Sequence, residues 1–220
     1  REPWRQRVAA LQQQWPGTLP DTDQPRSHFG LIQTVAACLD NEAIIVTDVG
    51  QHQMWVAQAY PLRRPRQWLT SGGLGTMGFG LPAAIGAALA QPERTVVCFT
   101  GDGSIMMNIQ ELVTAAEEGV NIKVVVMDNA SLGLVHQQQT LFYGARIYAS
   151  RFQATPDFVR VARGFGLQAV DLDTAANPCA ALLEALSGRG PCLIHASIDV
   201  SQKVYPMVPP GAANREMIGG

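Results

Sequence analysis

The chain has 220 residues, of which 47% are hydrophobic, enough apolar material for one large domain with a full core. Its 16 Lys and Arg against 18 Asp and Glu give a formal net charge of −2. The basic residues are scattered, which excludes the clustered positive field that a nucleic-acid partner requires. No apolar run approaches the roughly 18 residues of a membrane-spanning helix, so a membrane is not an expected partner either.

Cys38, Cys98, Cys179 and Cys192 form no Cys-x-x-Cys pair and three of them fall in apolar segments, so they are expected as reduced thiols of a cytoplasmic protein. The chain starts at Arg1, with no signal-peptide core and no initiator Met, and reads as a piece of something longer. Residues 1–26 carry Trp4 and Leu11 on a short helical pattern, then Pro16-Gly17, Pro20 and Pro25 break it. They are expected to be a linker from a preceding domain.

Ser27 is a natural N-cap for a helix through Leu31, Val35 and Leu39, where the domain proper, residues 27–200, begins. A short apolar run, 43–47, ends at Asp48-Val49-Gly50, and 51–59 has helical spacing. A weak strand, 67–70, leads into Ser71-Gly72-Gly73-Leu74-Gly75-Thr76-Met77-Gly78 and a small-residue helix over 81–90 with Pro82 in its first turn. Strand 95–99, helix 105–118, strand 122–127 and a helix from 132 to about 142 follow. A helix between Pro156 and Gly166, strand 167–172, helix 175–186 and strand 192–198 complete the pattern. The fold class is therefore α/β: a three-layer, mainly parallel six-stranded sheet with helices on both faces and right-handed crossovers. The tail, 201–220, has no core pattern and is expected to be a flexible lid or disordered.

Ligands of such sheets bind at the carboxyl ends of strands, where Asp48, Ser71, Asp102 and Asn129 fall. Asp102 stands between Gly101 and Gly103, directly after a strand and before a helix whose free N–H groups point the same way. Asn129 ends the next strand, 129 − 102 = 27 positions on. Adjacent strand ends lie about 5 Å apart, so both side chains can reach one ion. A carboxylate, an amide oxygen and a loop carbonyl suit a hard divalent cation such as Mg2+ that also carries phosphate oxygens. The plain alternative for Asp102 is a helix N-cap. Gly73-x-Gly75-x-x-Gly78 also matches the dinucleotide fingerprint. On residues alone it stands either for a nicotinamide dehydrogenase, with Asp102 on a ribose, or for a structural glycine loop.

Gly101-Asp102-Gly103-Ser104 followed by Asn129 resembles the thiamine diphosphate and magnesium motif. The runs Gly50-Gln51-His52-Gln53-Met54-Trp55, Arg64-Pro65-Arg66-Gln67-Trp68-Leu69-Thr70-Ser71-Gly72-Gly73-Leu74-Gly75 and Met77-Gly78-Phe79-Gly80-Leu81-Pro82-Ala83-Ala84 narrow the resemblance. From about Phe29 to the tail, the chain is similar to the C-terminal, thiamine diphosphate-binding domain of the acetohydroxyacid synthase (acetolactate synthase) large catalytic subunit. The resemblance implies that Gln51 and His52 contact the diphosphate, although His52 taken alone reads equally as a capping or surface histidine. It implies that the Gly75 carbonyl holds the aminopyrimidine, that Met77 wedges beneath the bent cofactor, and that Gly103 and Ser104 meet the diphosphate. Asp102, Asn129 and the Ser131 carbonyl are the implied Mg2+ ligands.

The family often has two asparagines where this chain has Asp128-Asn129, so the ligand role falls on Asn129 alone. Gln138 stands where many members carry a tryptophan that shapes the pocket for the second substrate, so no strong preference for 2-oxobutyrate over pyruvate is implied. The resemblance further implies small-molecule 2-oxoacid substrates, branched-chain amino-acid biosynthesis, FAD in the full-length enzyme and a small regulatory subunit. An activating glutamate would come from the N-terminal domain of a second catalytic chain. No catalytic acid or base is assigned within this chain, and the piece alone is expected to be inactive. Another thiamine diphosphate-dependent 2-oxoacid decarboxylase or oxidase is the nearest alternative.

Overall fold

The structure, a computed structural model, describes residues 1–14, 17 and 19–219. Pro16 of the expected linker break and Gly220 of the expected tail lie outside the described residues. Helix α1 (Glu2–Gln14) buries none of its side chains, and Trp4 is 69% exposed. Helix α2 (His28–Cys38) starts where Ser27 accepts from the Gly30 N–H at 2.9 Å, the expected N-cap.

Six strands form one all-parallel sheet: β1 (Ile44–Thr47), β2 (Trp68–Thr70), β3 (Val96–Gly101), β4 (Ile122–Asp128), β5 (Gln168–Asp171) and β6 (Cys192–Ser197). Their order is β2-β1-β3-β4-β6-β5. The remaining helices are α3 (Gln51–Ala59), α4 (Gly80–Ala90), α5 (Asp102–Ile105), α6 (Glu111–Glu117), α7 (Gly133–Phe142), α8 (Phe158–Gly164) and α9 (Pro178–Ser187).

Side chains alternate across a strand, so each central strand feeds two cores. Ile45, Val97, Phe99 and Val125 point to the face covered by Ile32 of α2, Trp55 of α3 and Leu182 of α9. Val46, Cys98, Val124 and Leu193 point to the other face, under Leu81 of α4, Leu112 of α6 and Phe158 of α8. Burial on both faces explains why the strands read as continuous apolar runs. Fully buried Lys123 is a charged exception, and its ammonium donates to the Gly188 and Gly190 carbonyls at 2.6 and 2.7 Å, beside the C-terminus of α9.

Two expectations change. The helix expected over 105–118 is two pieces, because the Asn108 side chain donates to the Gly78 carbonyl at 2.6 Å and the chain turns there before α6. In the tail, Val204 is fully buried in the α2–α3–α9 core, so one core position stands where no pattern signalled it. Cys98 and Cys192 are buried, Cys38 is half-buried and Cys179 is exposed, all as free thiols.

Candidate functional site

The chain runs from β1 outward to β2, then returns to the other side of β1 to make β3. This reversal leaves a crevice at the carboxyl ends of β1 and β3, the place where open α/β sheets bind ligands. A cavity of about 170 Å³ opens there. Gln51 and His52 enter it from the first turn of α3, and Gly101 to Ser104 from the end of β3. Asn129 and Ser131 reach it from the loop after β4, Gly75 and Met77 from the loop before α4. Nine residues expected at the site, Gln51, His52, Gly75, Met77, Asp102, Gly103, Ser104, Asn129 and Ser131, therefore share one cavity.

The oxygen donors are tied to one another. Asp102 is 3% exposed; its Oδ1 accepts from the Gly103 N–H and its Oδ2 from the Ser131 N–H, both at 2.9 Å. The Ser131 hydroxyl donates to Asn129 Oδ1 at 3.0 Å, and Asn129 Nδ2 donates to Gln51 Oε1 at 3.0 Å. Ser131 thus joins the carboxylate and the amide, and Asp102 is more than an N-cap. The Ser104 hydroxyl donates to the Val49 carbonyl at 2.6 Å, linking the ends of β1 and β3.

Pairing of β3 with β4 sets Gly101 opposite Met127, so Asp102 lies beside Asp128. Burial first, and then the Asp128 charge, push the Asp102 carboxyl up to about 7. Asp128 is in side-chain contact with Asp102 and is held by two further partners. Its Oδ1 accepts from the Ala130 N–H at 2.9 Å, fixing a residue at φ +52, and its Oδ2 meets His195 Nε2 at 3.2 Å. His195 Nδ1 meets Asp171 at 3.1 Å. Burial would lower His195, but its two carboxylate partners outweigh burial and raise it to about 9. Burial likewise pushes Asp128 up, yet the His195 and Ala130 hydrogen bonds bring it below its ordinary value. Asp171, Asp173 and His195 place ligand-type atoms within 4.8 Å of one another. Both imidazole nitrogens already face carboxylates, so this is an ion-pair cluster rather than a metal centre.

His52 is 5% exposed, and burial lowers it to about 3, which keeps it neutral. Its Nε2 has no partner among the described residues. Gly75 has φ +64, a left-handed conformation that favours glycine. A Cβ on Gly133 would lie 2.6 Å from Asn129 Nδ2 and overlap Gln51 Oε1, so the start of α7 approaches the site as only glycine can. An oxygen cluster for a cation, a neutral histidine with a free nitrogen and an apolar wall from Met77, Leu132, Leu134 and Val135 can hold an anionic cofactor with an apolar ring system.

The dinucleotide alternative does not survive this geometry. The three-residue strand β2 is at the sheet edge, and the Gly78 N–H is taken by Asp48 Oδ1 at 2.8 Å, so it is not available to a pyrophosphate. Ser71 Oγ accepts from Thr76 N–H and closes its own loop without lining the cavity.

Residues 48–196 match the family model described as thiamine pyrophosphate enzyme, C-terminal TPP binding domain. The chain belongs to this family. It is 61% identical over 219 residues to the acetolactate synthase isozyme 1 large subunit of Escherichia coli (strain K12), a match covering 100% of this chain and 39% of that protein. It is 48% identical over 177 residues to the isozyme 2 large subunit of the same organism, covering 80% of this chain and 32% of that protein. The acetolactate synthase large subunit of Lactococcus lactis subsp. lactis (strain IL1403) is 47% identical over 206 residues, 91% of this chain and 35% of that protein. The chain thus spans about two fifths or less of the length of these relatives. The α/β sheet is that of a thiamine pyrophosphate-binding domain, and no helix among the described residues is long and apolar enough to cross a membrane.

Gln138 does not join the others. It is exposed on α7 and does not line the cavity, although Leu134 and Val135, one turn earlier on that helix, do. At this point of α7 the buried side chains are His136 and Gln137, while Gln138 faces outward one turn beyond the two cavity-lining residues. Sequence reasoning also passed over Gln137 and His195. A polar residue interrupting an apolar strand run, as His195 does, is the one signal that marks a buried polar group there.

Proposed function

We propose that this chain is the thiamine diphosphate-binding part of an acetolactate synthase large subunit. The observation that carries the reading is the cluster of Asp102, Asn129 and Ser131, mutually hydrogen-bonded at the ends of adjacent strands in the cavity that Gln51, His52, Gly75 and Met77 also line. The residues fit the cofactor: the oxygen donors suit Mg2+ and its diphosphate, and the unpartnered His52 Nε2 offers a polar atom. Asp102, Asn129 and the Ser131 carbonyl would hold Mg2+, His52 and Ser104 would face the diphosphate in a site that Gln51 and Gly103 also line, and Gly75 and Met77 would hold the organic half. When bound, thiamine diphosphate supplies the carbon nucleophile and electron sink for decarboxylating pyruvate and joining the remainder to a second 2-oxoacid. This chain's own residues bind and orient that group and keep water from it; none is an acid or base of the reaction.

Residues 27–200 form the cofactor domain, 1–26 are the linker that leads into it, and 201–220 are the tail, of which Val204 is buried in the domain core. The activating glutamate and FAD belong to parts outside this chain, the former to the N-terminal domain of a second catalytic chain. A small regulatory subunit and a cytoplasmic location complete the reading, which rests there on the large-subunit relatives. Pyruvate given to the purified full-length polypeptide with thiamine diphosphate and Mg2+ should yield 2-acetolactate. Acetaldehyde or acetate as the sole product would transfer the chain to the decarboxylases or oxidases. The 220-residue chain alone should form no acetolactate.

A further inference from the structure

A metal site that uses an asparagine has a requirement that a carboxylate site lacks: only one of the two terminal atoms of the amide can bind a cation. Asn129 offers an oxygen acceptor on one side and an NH2 donor on the other, and a half-turn about the last torsion exchanges them. Ser131 does not decide between the two, because a hydroxyl can donate to the oxygen or accept from the NH2.

Gln51 does decide, provided its own amide is fixed. Gln51 Oε1 accepts from Asn129 Nδ2, while Gln51 Nε2 donates to Gln137 Oε1 at 2.9 Å and to the Gln202 carbonyl at 3.2 Å. A flipped Gln51 would put its oxygen against two acceptors. Gln137 is fully buried and is fixed in turn by one backbone unit. Its Nε2 donates to the Val204 carbonyl and its Oε1 accepts from the Val204 N–H, both at 2.8 Å. Backbone groups cannot exchange donor and acceptor, so the polarity of Val204 is the fixed reference for the chain of amides. Val204 is itself immobilised, with its side chain fully buried and its neighbour Tyr205 accepting from Gln58 Nε2 at 2.7 Å.

We propose that Gln137 is a positioning residue for the cation site: clasped to Val204, it orients Gln51, which turns Asn129 so that Oδ1 faces the cation. This rests on the assignment of Asn129 as a Mg2+ ligand under the proposed function. Gln137 touches neither cation nor cofactor; it acts through Gln51. The segment Gln202–Val204 is by the same geometry part of the cofactor site, though it lies 204 − 129 = 75 positions from the ligand it orients.

The test uses Mn2+ in place of Mg2+, titrated into the full-length polypeptide with thiamine diphosphate and followed by loss of the free-ion electron paramagnetic resonance signal. Gln137→Met keeps the volume of the buried side chain and removes the amide. It should weaken Mn2+ binding about tenfold. In an Asn129→Asp background both terminal atoms are oxygens, orientation no longer matters, and the same substitution should change the affinity less than about threefold. Equal losses in both backgrounds, or no loss in either, would overturn the proposal. Failure of the parent protein to bind Mn2+ with thiamine diphosphate would instead refute the metal assignment, and the proposal with it. A second measurement needs no variant. Coupling is reciprocal, so Mn2+ and thiamine diphosphate must slow hydrogen exchange at the Val204 N–H, with about tenfold greater protection expected. Unchanged exchange at Val204 would refute the proposal even if Gln137→Met fails to fold.

Discussion

Replacing His195 by Gln asks whether the charges behind the site hold the sheet together. The imidazole bridges β4, β5 and β6, meeting Asp128 at 3.2 Å and Asp171 at 3.1 Å, with only 16% of its side chain exposed. Its value rises from 6.5 to about 9 despite burial. A folded-state value above the unfolded one means that protonation favours folding. The contribution is complete below pH 6.5 and is lost as pH rises through about 9. The gap corresponds to about 3 kcal/mol, a large share of a typical domain's stability. Urea denaturation followed by the fluorescence of buried Trp55 should show the parent losing about 3 kcal/mol of stability, relative to His195→Gln, between about pH 6 and pH 10. Parallel stability curves for the two proteins would show that His195 is not charged in the fold, and the ion-pair reading would fall.

The site itself yields three more predictions. Asp102→Ala should abolish Mg2+-dependent thiamine diphosphate binding in calorimetry while the protein stays folded; since Asp102 stands near 7 in the parent, cation binding there should release a proton at pH 6 and strengthen up to about pH 8. Gly133→Ala puts a Cβ onto Gln51 Oε1 and against Asn129, so cation affinity should fall about tenfold, about 1.4 kcal/mol, and the melting temperature should fall as well, because buried Gln51 must leave its hydrogen-bonded place. Gln138→Trp adds an apolar surface beside the cavity mouth and should raise the use of 2-oxobutyrate over pyruvate by roughly tenfold, consistent with about 1–3 kcal/mol for an added apolar contact; unchanged product ratios would remove position 138 from substrate choice.

What could be read from the sequence was set by short-range chemistry. A parallel strand buried on both faces must be apolar throughout, so Val96–Gly101 and Ile122–Asp128 announce themselves, and the polar residues that end them mark the ligand side of the sheet. What escaped depends on partners distant in the chain. Met106 to Gln110 has helical composition, but Asn108 is held by Gly78, 108 − 78 = 30 positions away, and the helix breaks. Gln137 follows His136 in a polar run that reads as a solvated helix face, yet it is buried by Val204, 204 − 137 = 67 positions on. No local pattern encodes either contact.

Asp128 shows how a departure from a family pattern acquires meaning from geometry. An asparagine there, as the family often has, would leave Asp102 with no acidic neighbour on the adjacent strand end. This chain instead sets two carboxylates side by side, which costs free energy and raises Asp102. The cost is offset because His195 meets one oxygen of Asp128 and the Ala130 N–H the other, keeping Asp128 ionised beside Asp102. That same Ala130 contact fixes the turn from which Ser131 sends its N–H to Asp102 and its hydroxyl to Asn129. The extra carboxylate thus shapes the loop that carries two of the three proposed ligands, and a cation bound to Asp102 would relieve the repulsion that remains. Asp128 and His195 form one unit: removing the histidine alone strands a buried charge beside Asp102, whereas exchanging both for neutral residues removes the conflict at its source.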